Sequence, residues 1–332
     1  MIGFILRRTL AMIGILFALA AIVFVLQRVS PVDPARSYVG ANASKQDVAA
    51  ARKTLGLDQS VPVQYVRYVD NVVHGKLGYS LHTRRSVSQD LGDFLPPTLE
   101  LIAVSMFLAL LGGAYLGLAS AASWRGGGTM RLLLVTGSAM PVFLLVLGGV
   151  IIFYGELNWL PATGQTGFFD APTGPTHFLL IDSLLAGRVD VFGDAIQHLI
   201  IPAVALAIGP AVAIGRVFRS SLLATLKSDY VRTARAKGLS EHRVLLAHAV
   251  RNSLGPVLAI AGIQMAVLLA ADIIVESIVS WPGLGLYIVQ SISQSDFPAI
   301  AGVTLVFGAI YVLVNALVDI LQAAADPRIT RV

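Results

Sequence analysis

Six runs of roughly 17 or more residues with almost no charge divide this chain. Each is long enough, at about 1.5 Å per helical residue, to cross most or all of a hydrocarbon layer about 30 Å thick. The runs are 9–27, 99–122, 132–154, 199–215, 254–275 and 300–321, and Asp272 and Asp319 fall inside the last two. In hydrocarbon each backbone N–H and C=O must find its partner within the chain, so apolar runs of this length predict helices. The fourth run is short and holds Pro202 and Pro210, which predicts a kink or tilt.

Composition agrees with a bilayer as solvent: 56% of the 332 residues are apolar and 13% are charged, against about 25% charged in ordinary soluble chains. The 24 Lys and Arg exceed the 19 Asp and Glu, but they cluster between the apolar runs, which argues against nucleic acid as a partner. With no cysteine, disulfide frameworks, thiolate metal sites and thiol nucleophiles are excluded. The first run exceeds a secretory h-region, and Gln27-Arg28-Val29 lacks a small-residue cleavage site, so it is expected to remain as a span.

Basic residues resist translocation and set orientation through the short loops. One side carries Arg7, Arg8, Arg125, Arg131, eight residues from Arg216 to Arg251, and Arg328 and Arg331; the two later loops opposite carry only Arg188. Both termini are therefore expected in the cytoplasm. The expected organisation is a cytoplasmic start at 1–8, a first span at 9–27, an external module at 28–98, a five-span core at 99–322 with a cytoplasmic loop at 216–253, and a cytoplasmic end at 323–332. Within the module, Ser44 is placed to cap a helix ending at Gly56. Pro62 suits a first helical turn, and Val66, Val69, Val72 and Val73 share a face before His74-Gly75. A folded external module and a simple shield for the first two spans are both open. Residues 155–197 give no motif, and Gly126-Gly127-Gly128 reads as a turn.

The strongest local signal lies between the fourth and fifth runs. Ser228 or Asp229 is suited to cap a helix running to Lys237, Gly238 to end it in a left-handed conformation, and Ser240 to cap a second helix. Val244, Leu245, His248 and Arg251 give that second helix a split face. Such a basic helix–glycine–helix loop fits either docking to a protein partner or contact with anionic lipid.

Tyr230-Val231-Arg232-Thr233-Ala234-Arg235-Ala236-Lys237-Gly238-Leu239 resembles the cytoplasmic-loop signature of permeases in binding-protein-dependent ABC importers, specifically the dipeptide, oligopeptide and nickel branch. The resemblance extends along the chain through Phe4-Ile5-Leu6-Arg7-Arg8, Leu55-Gly56-Leu57-Asp58, Gln64-Tyr65, Gly75-Lys76-Leu77-Gly78-Tyr79-Ser80 and Pro97-Thr98-Leu99-Glu100-Leu101. It continues in Glu276, Ser280-Trp281-Pro282-Gly283-Leu284-Gly285, Asp319 and Asp326-Pro327-Arg328. Departures are Lys76 where an acidic residue is usual, Val32 for glycine, Asp272 for a small apolar residue, and His248-Ala249-Val250-Arg251 in place of an Ile-x-Leu-Pro ending.

The resemblance implies an all-α polytopic membrane protein with six transmembrane helices of the importer-permease type and a partly helical external segment after the first. It implies a bacterial inner-membrane location, a second related permease, one or two ATPase subunits and an extracytoplasmic binding protein as partners, and a peptide or nickel chelate as solute. Arg232, Thr233, Ala234, Arg235, Ala236, Lys237, Gly238, Leu239 and Ser240 would couple to the ATPase, with Ala234 and Ala236 allowing its close approach. The chain has no Gly-x-x-x-x-Gly-Lys sequence, so ATP and magnesium are expected in the partner subunits, with no cofactor and no catalytic or metal site in this one.

Gln264, Asp272 and Glu276 lie on one face of the fifth run and are pathway candidates. The two carboxylates either select cationic solutes or reach external water or a basic residue of another subunit. A secondary transporter using Asp272, Glu276 or Asp319 as a proton relay and a polytopic receptor are the competing classes. The first would show paired inverted repeats and the second an attached signalling domain, and neither is seen.

Overall fold

The computed structural model describes residues 2–29, 35, 39, 43–121 and 127–325. Val32, Arg125, Gly126, Asp326-Pro327-Arg328 and Arg331, all used in the reading above, lie outside the described residues. In chain order the helices are α1 (Ile2–Val29), α2 (Lys45–Thr54), α3 (Val61–Val73), α4 (Val87–Ala121), α5 (Gly127–Ser138) and α6 (Val142–Glu156). There follow α7 (Leu179–Leu185), α8 (Val189–Leu226), α9 (Asp229–Ala236), α10 (Glu241–Val279), α11 (Leu284–Ser293) and α12 (Phe297–Ala325). Among the described residues the only extended pairing outside them is a single bridge between Tyr79 and Ser86. The protein is thus an all-helical polytopic membrane protein.

Five helices, in α1, α4, α8, α10 and α12, are long and apolar enough to cross a bilayer. The third apolar run, 132–154, is not one helix: α5 ends at Ser138, and α6 starts at Val142 after Pro141. Proline disfavours helical backbone in the residue before it and lacks an N–H to donate, so Met140-Pro141 breaks the run. The fourth run behaves oppositely. Pro202 and Pro210 sit inside one 38-residue helix, α8, and both are buried. A proline inside a membrane helix is tolerated where neighbouring elements cover the freed carbonyl.

The chain forms two compact units. One comprises Leu99–Trp281 and the chain from Val314 onward. Its core holds Leu101, Met106, Leu206, Ile214, Phe218, Leu222, Leu268 and Trp281. Close helix approach there depends on glycine. A Cβ on Gly113 would come within 2.6 Å of Ile214, and one on Gly117 within 2.4 Å of Phe218, so these two positions on α4 form a groove for α8. Contacts through small residues are how helices associate tightly where lipid removes the hydrophobic drive.

The other unit comprises Ile2–Thr98 and Pro282–Leu313. Ser44 caps α2 through a reciprocal capping box with Asp47, Gly56 follows α2 with φ +66°, and Pro62 occupies the first turn of α3, as the sequence implies. The valine stripe packs only in part: Val69 and Val72 are half-buried, but Val66 is 67% and Val73 75% exposed. The neighbouring face of α3 packs as well, with Tyr65 and Tyr68 each 5.6 Å from the ring of Phe24 on α1. Two aromatic rings bury more area than the valines would.

Two fully buried carboxylates, Asp90 and Asp296, organise this unit. Asp90 accepts from Thr83 Oγ1 at 2.5 Å and Tyr287 Oη at 2.8 Å, and pairs with Arg85 Nη2 at 2.7 Å. Phe94 stacks on Tyr287 at 4.8 Å. Asp296 accepts from Ser80 Oγ at 2.5 Å and His82 N at 3.1 Å, while its other oxygen accepts from Ala299 N in the first turn of α12. Burial and the Asp90 charge push the Tyr287 phenol upward, so it remains a donor. Truncating Asp90 strands several donors at once, whereas removing the Tyr287 hydroxyl removes one. Asp90→Ala is therefore expected to lower the unfolding temperature in detergent well beyond Tyr287→Phe, for which the expected cost is about 1–3 kcal/mol. Differential scanning fluorimetry of the two variants checks the order.

Candidate functional site

The loop from Ser228 to Ser240 folds as its sequence implies. Ser228 precedes α9 in extended conformation, although its hydroxyl donates to Thr225 O at 2.5 Å rather than capping the helix. Gly238 N–H donates to Arg235 O at 2.9 Å, with Gly238 at φ +79°. Ser240, also extended, leads into α10, but its side chain makes no capping hydrogen bond either. A side chain at 238 would meet no atom within 4 Å, so glycine is demanded by the backbone conformation and not by crowding.

Two interactions hold the turn. Val231 and Ala234 of α9 bury against Val244 of α10, with Leu226 and Leu239 alongside. Across the open edge, Arg235 clasps Glu241 in a bidentate pair, Nε to Oε1 at 2.7 Å and Nη2 to Oε2 at 3.0 Å. This bond raises the Arg235 pKa further above its ordinary value. The nine sequence candidates therefore divide. Ala234 and Leu239 face inward and Arg235 braces the turn, whereas Arg232, Thr233, Ala236, Lys237, Gly238 and Ser240 are exposed. Ala234 packs within its own chain, whereas Ala236 is exposed.

After Ser240 the chain enters α10, which opens with a turn at Glu241–Arg243, widens to a π-helical stretch at Val244–Val250, and continues as α-helix from Arg251 to Val279. The loop is thus covalently continuous with the helix that carries all three pathway candidates. Gln264 is half-buried. Asp272 and Glu276 are both 0% exposed, and neither oxygen of Asp272 receives a hydrogen bond from any described donor. The pair does not reach solvent in this chain.

Other polar residues escaped the sequence reading. Glu100, at the start of the second apolar run, is buried and accepts from Gln165 Nε2 at 2.8 Å and Leu180 N at 2.9 Å. Asp182 and Asp194 accept from Thr176 and Thr166 at 2.7 and 2.6 Å, and Gly164 N–H donates to Val279 O at 2.8 Å. The motif-poor segment 155–197 is thereby tied to the rest of its unit by Glu100 and the Gly164–Val279 bond, and held internally by Asp182 and Asp194. Only the Glu100 block, already matched as Pro97-Thr98-Leu99-Glu100-Leu101, carried a signal for this; the other partners share no pattern.

The chain is a multi-pass membrane protein in which a basic helix–glycine–helix loop feeds directly into one long apolar helix. Comparison with known proteins gives its class. The family described as binding-protein-dependent transport system inner membrane component matches residues 109–331, and the N-terminal region of such components matches residues 1–102. The chain is 41% identical over 329 residues to the probable D,D-dipeptide transport system permease protein DdpB of Escherichia coli, covering 98% of this chain and 96% of that protein. It is 40% identical to the di/tripeptide transport system permease protein DppB of Pseudomonas aeruginosa and 38% identical to the glutathione transport system permease protein GsiC of Salmonella paratyphi A, covering 99% of each chain in both cases. A chain of the MetNI methionine ABC transporter, solved in inward-facing conformations, shares the fold at TM-score 0.50 and 16% identity, over 70% of this chain and 96% of that one. The protein belongs to the binding-protein-dependent transport system inner membrane component family and is a permease subunit.

The helix carrying the buried pair ends at Ser280 in a left-handed conformation, φ 50° and ψ 39°, with Trp281 N–H donating back to Glu276 O at 2.9 Å. A residue with a Cβ is strained there, so Ser280→Gly is expected to stabilise the protein by about 1 kcal/mol. Thermal unfolding of the variant in detergent measures the gain, and a loss of stability would mean that the hydroxyl outweighs the strain.

Proposed function

We propose that this chain forms half of the membrane pathway of an ATP-driven importer of short peptides, with the exposed face of α9 and its glycine turn docked on a separate ATPase subunit. The observation that carries this reading is the continuity of the turn with α10: a partner that moves the loop moves the helix bearing Gln264, Asp272 and Glu276. The relatives named for dipeptides, di- and tripeptides and glutathione, itself a tripeptide, support a short peptide as solute. A second permease completes the pathway, one or two ATPase subunits hold ATP and magnesium, and an extracytoplasmic binding protein delivers the solute.

Both termini and the 228–251 loop face the cytoplasm in this reading, in a bacterial inner membrane. The chain has no cysteine, so labelling tests the orientation directly. Ser44→Cys should react with an impermeant thiol reagent in intact cells, while Ser240→Cys should react only after permeabilisation; the reverse pattern inverts the topology.

Docking by shape predicts that Gly238→Val is inserted at normal abundance but loses ATPase retention and peptide uptake by roughly tenfold, since a β-branched residue resists φ near +79°. Arg232→Ala combined with Lys237→Ala removes exposed charge while sparing the Arg235–Glu241 brace. If that double variant proves worse than Gly238→Val in co-purification and uptake, the loop contacts anionic lipid and not an ATPase.

A further inference from the structure

A groove of about 520 Å³ in the larger unit is lined by Leu116 of α4, Leu132 and Val135 of α5, and Val212, Arg216 and Arg219 of α8. The two arginines are one turn apart and share a face of α8. Both are exposed, and neither has an ion-pair or hydrogen-bond partner among the described residues. Every other wall residue named is apolar, and Leu132 is 66% exposed. The groove therefore combines two guanidinium groups, unpaired among the described residues, with an apolar wall whose exposed members are Leu132 and Val135, Leu116 and Val212 being buried behind them.

Its position along α8 identifies the surroundings. The helix is 38 residues long, about 57 Å at the standard rise, and overshoots a hydrocarbon layer of about 30 Å. The apolar stretch 199–215 ends at Arg216, so the arginines emerge at the membrane boundary on the side of the bilayer that carries the Ser228–Ser240 loop. Leu132, Val135 and Val212 lie on the hydrocarbon side of that boundary.

We propose that this groove binds an anionic phospholipid. The phosphodiester sits between Arg216 and Arg219, and an acyl chain lies along the exposed Leu132 and Val135. Guanidinium groups match phosphate oxygens in a planar, bidentate manner, and basic pockets between spans at the membrane surface are suited to such headgroups. A free phosphate would satisfy the arginines but leave the apolar wall unoccupied, which favours the lipid.

The test uses the full-length chain extracted with its associated subunits into detergent containing equal amounts of dioleoyl-phosphatidylglycerol and dioleoyl-phosphatidylcholine, with retained lipid quantified by native mass spectrometry. The wild type should retain phosphatidylglycerol selectively, and Arg216→Gln with Arg219→Gln should lower that retention by roughly tenfold. Leu132→Trp keeps both charges and fills an exposed part of the groove, and it should also lower retention. Equal retention of the two lipids by the wild type overturns the proposal. So does full retention by Leu132→Trp, which would mean diffuse surface attraction. Displacement of the phosphatidylglycerol by excess inorganic phosphate would assign the arginines to a free anion and overturn the lipid assignment.

Discussion

Hydrocarbon offers backbone amides nothing to bond with, and most of this architecture follows from that. A segment inside the bilayer must bond to itself, so long runs close into helices, and irregular backbone is confined to the ends. The same rule explains why α8 passes through two prolines while the run 132–154 breaks. A proline buried among neighbours leaves a carbonyl that packing shields. Pro141 lies where α6 begins, and its missing N–H is one that a first turn does not need.

Outside the apolar stretches, organisation passes from backbone to carboxylates. Asp90, Asp296, Glu100 and Asp194 each collect donors from segments distant in sequence, whereas Asp182 takes both of its donors from Thr176, six residues away. Charge-assisted bonds of this kind are stronger than neutral ones and define single geometries. Both flanking segments, 78–98 and 155–197, use them where a small apolar core would not suffice.

Helix existence, the helix–glycine–helix loop and the Ser44 and Pro62 signals were legible because each is a local pattern with a local cause. Asp90 and Asp296 were not legible, since their partners lie as far as 216 residues away and no spacing rule links them. The valine face of α3 misled because periodicity counts apolar positions without weighing them; Tyr65 and Tyr68 carried more area. Within the loop, the sequence marked nine residues but could not divide those that brace the turn from those that face outward. That division rests on Val244 and Glu241, beyond the motif itself. At Asp272 and Glu276 the face was right, but depth is a tertiary property and placed both out of reach of solvent.

The π-helical stretch at Val244–Val250 sets the rotational phase of everything downstream on α10. A π-turn accommodates one residue more than an α-turn, and one residue corresponds to about 100° of rotation about the helix axis. The azimuth at which Gln264, Asp272 and Glu276 point is therefore fixed about four to seven turns earlier, beside the loop. Val244 opens that stretch and is packed on Val231 and Ala234, so the phase of the outer part of α10 is set where the helix leaves the core of the basic turn.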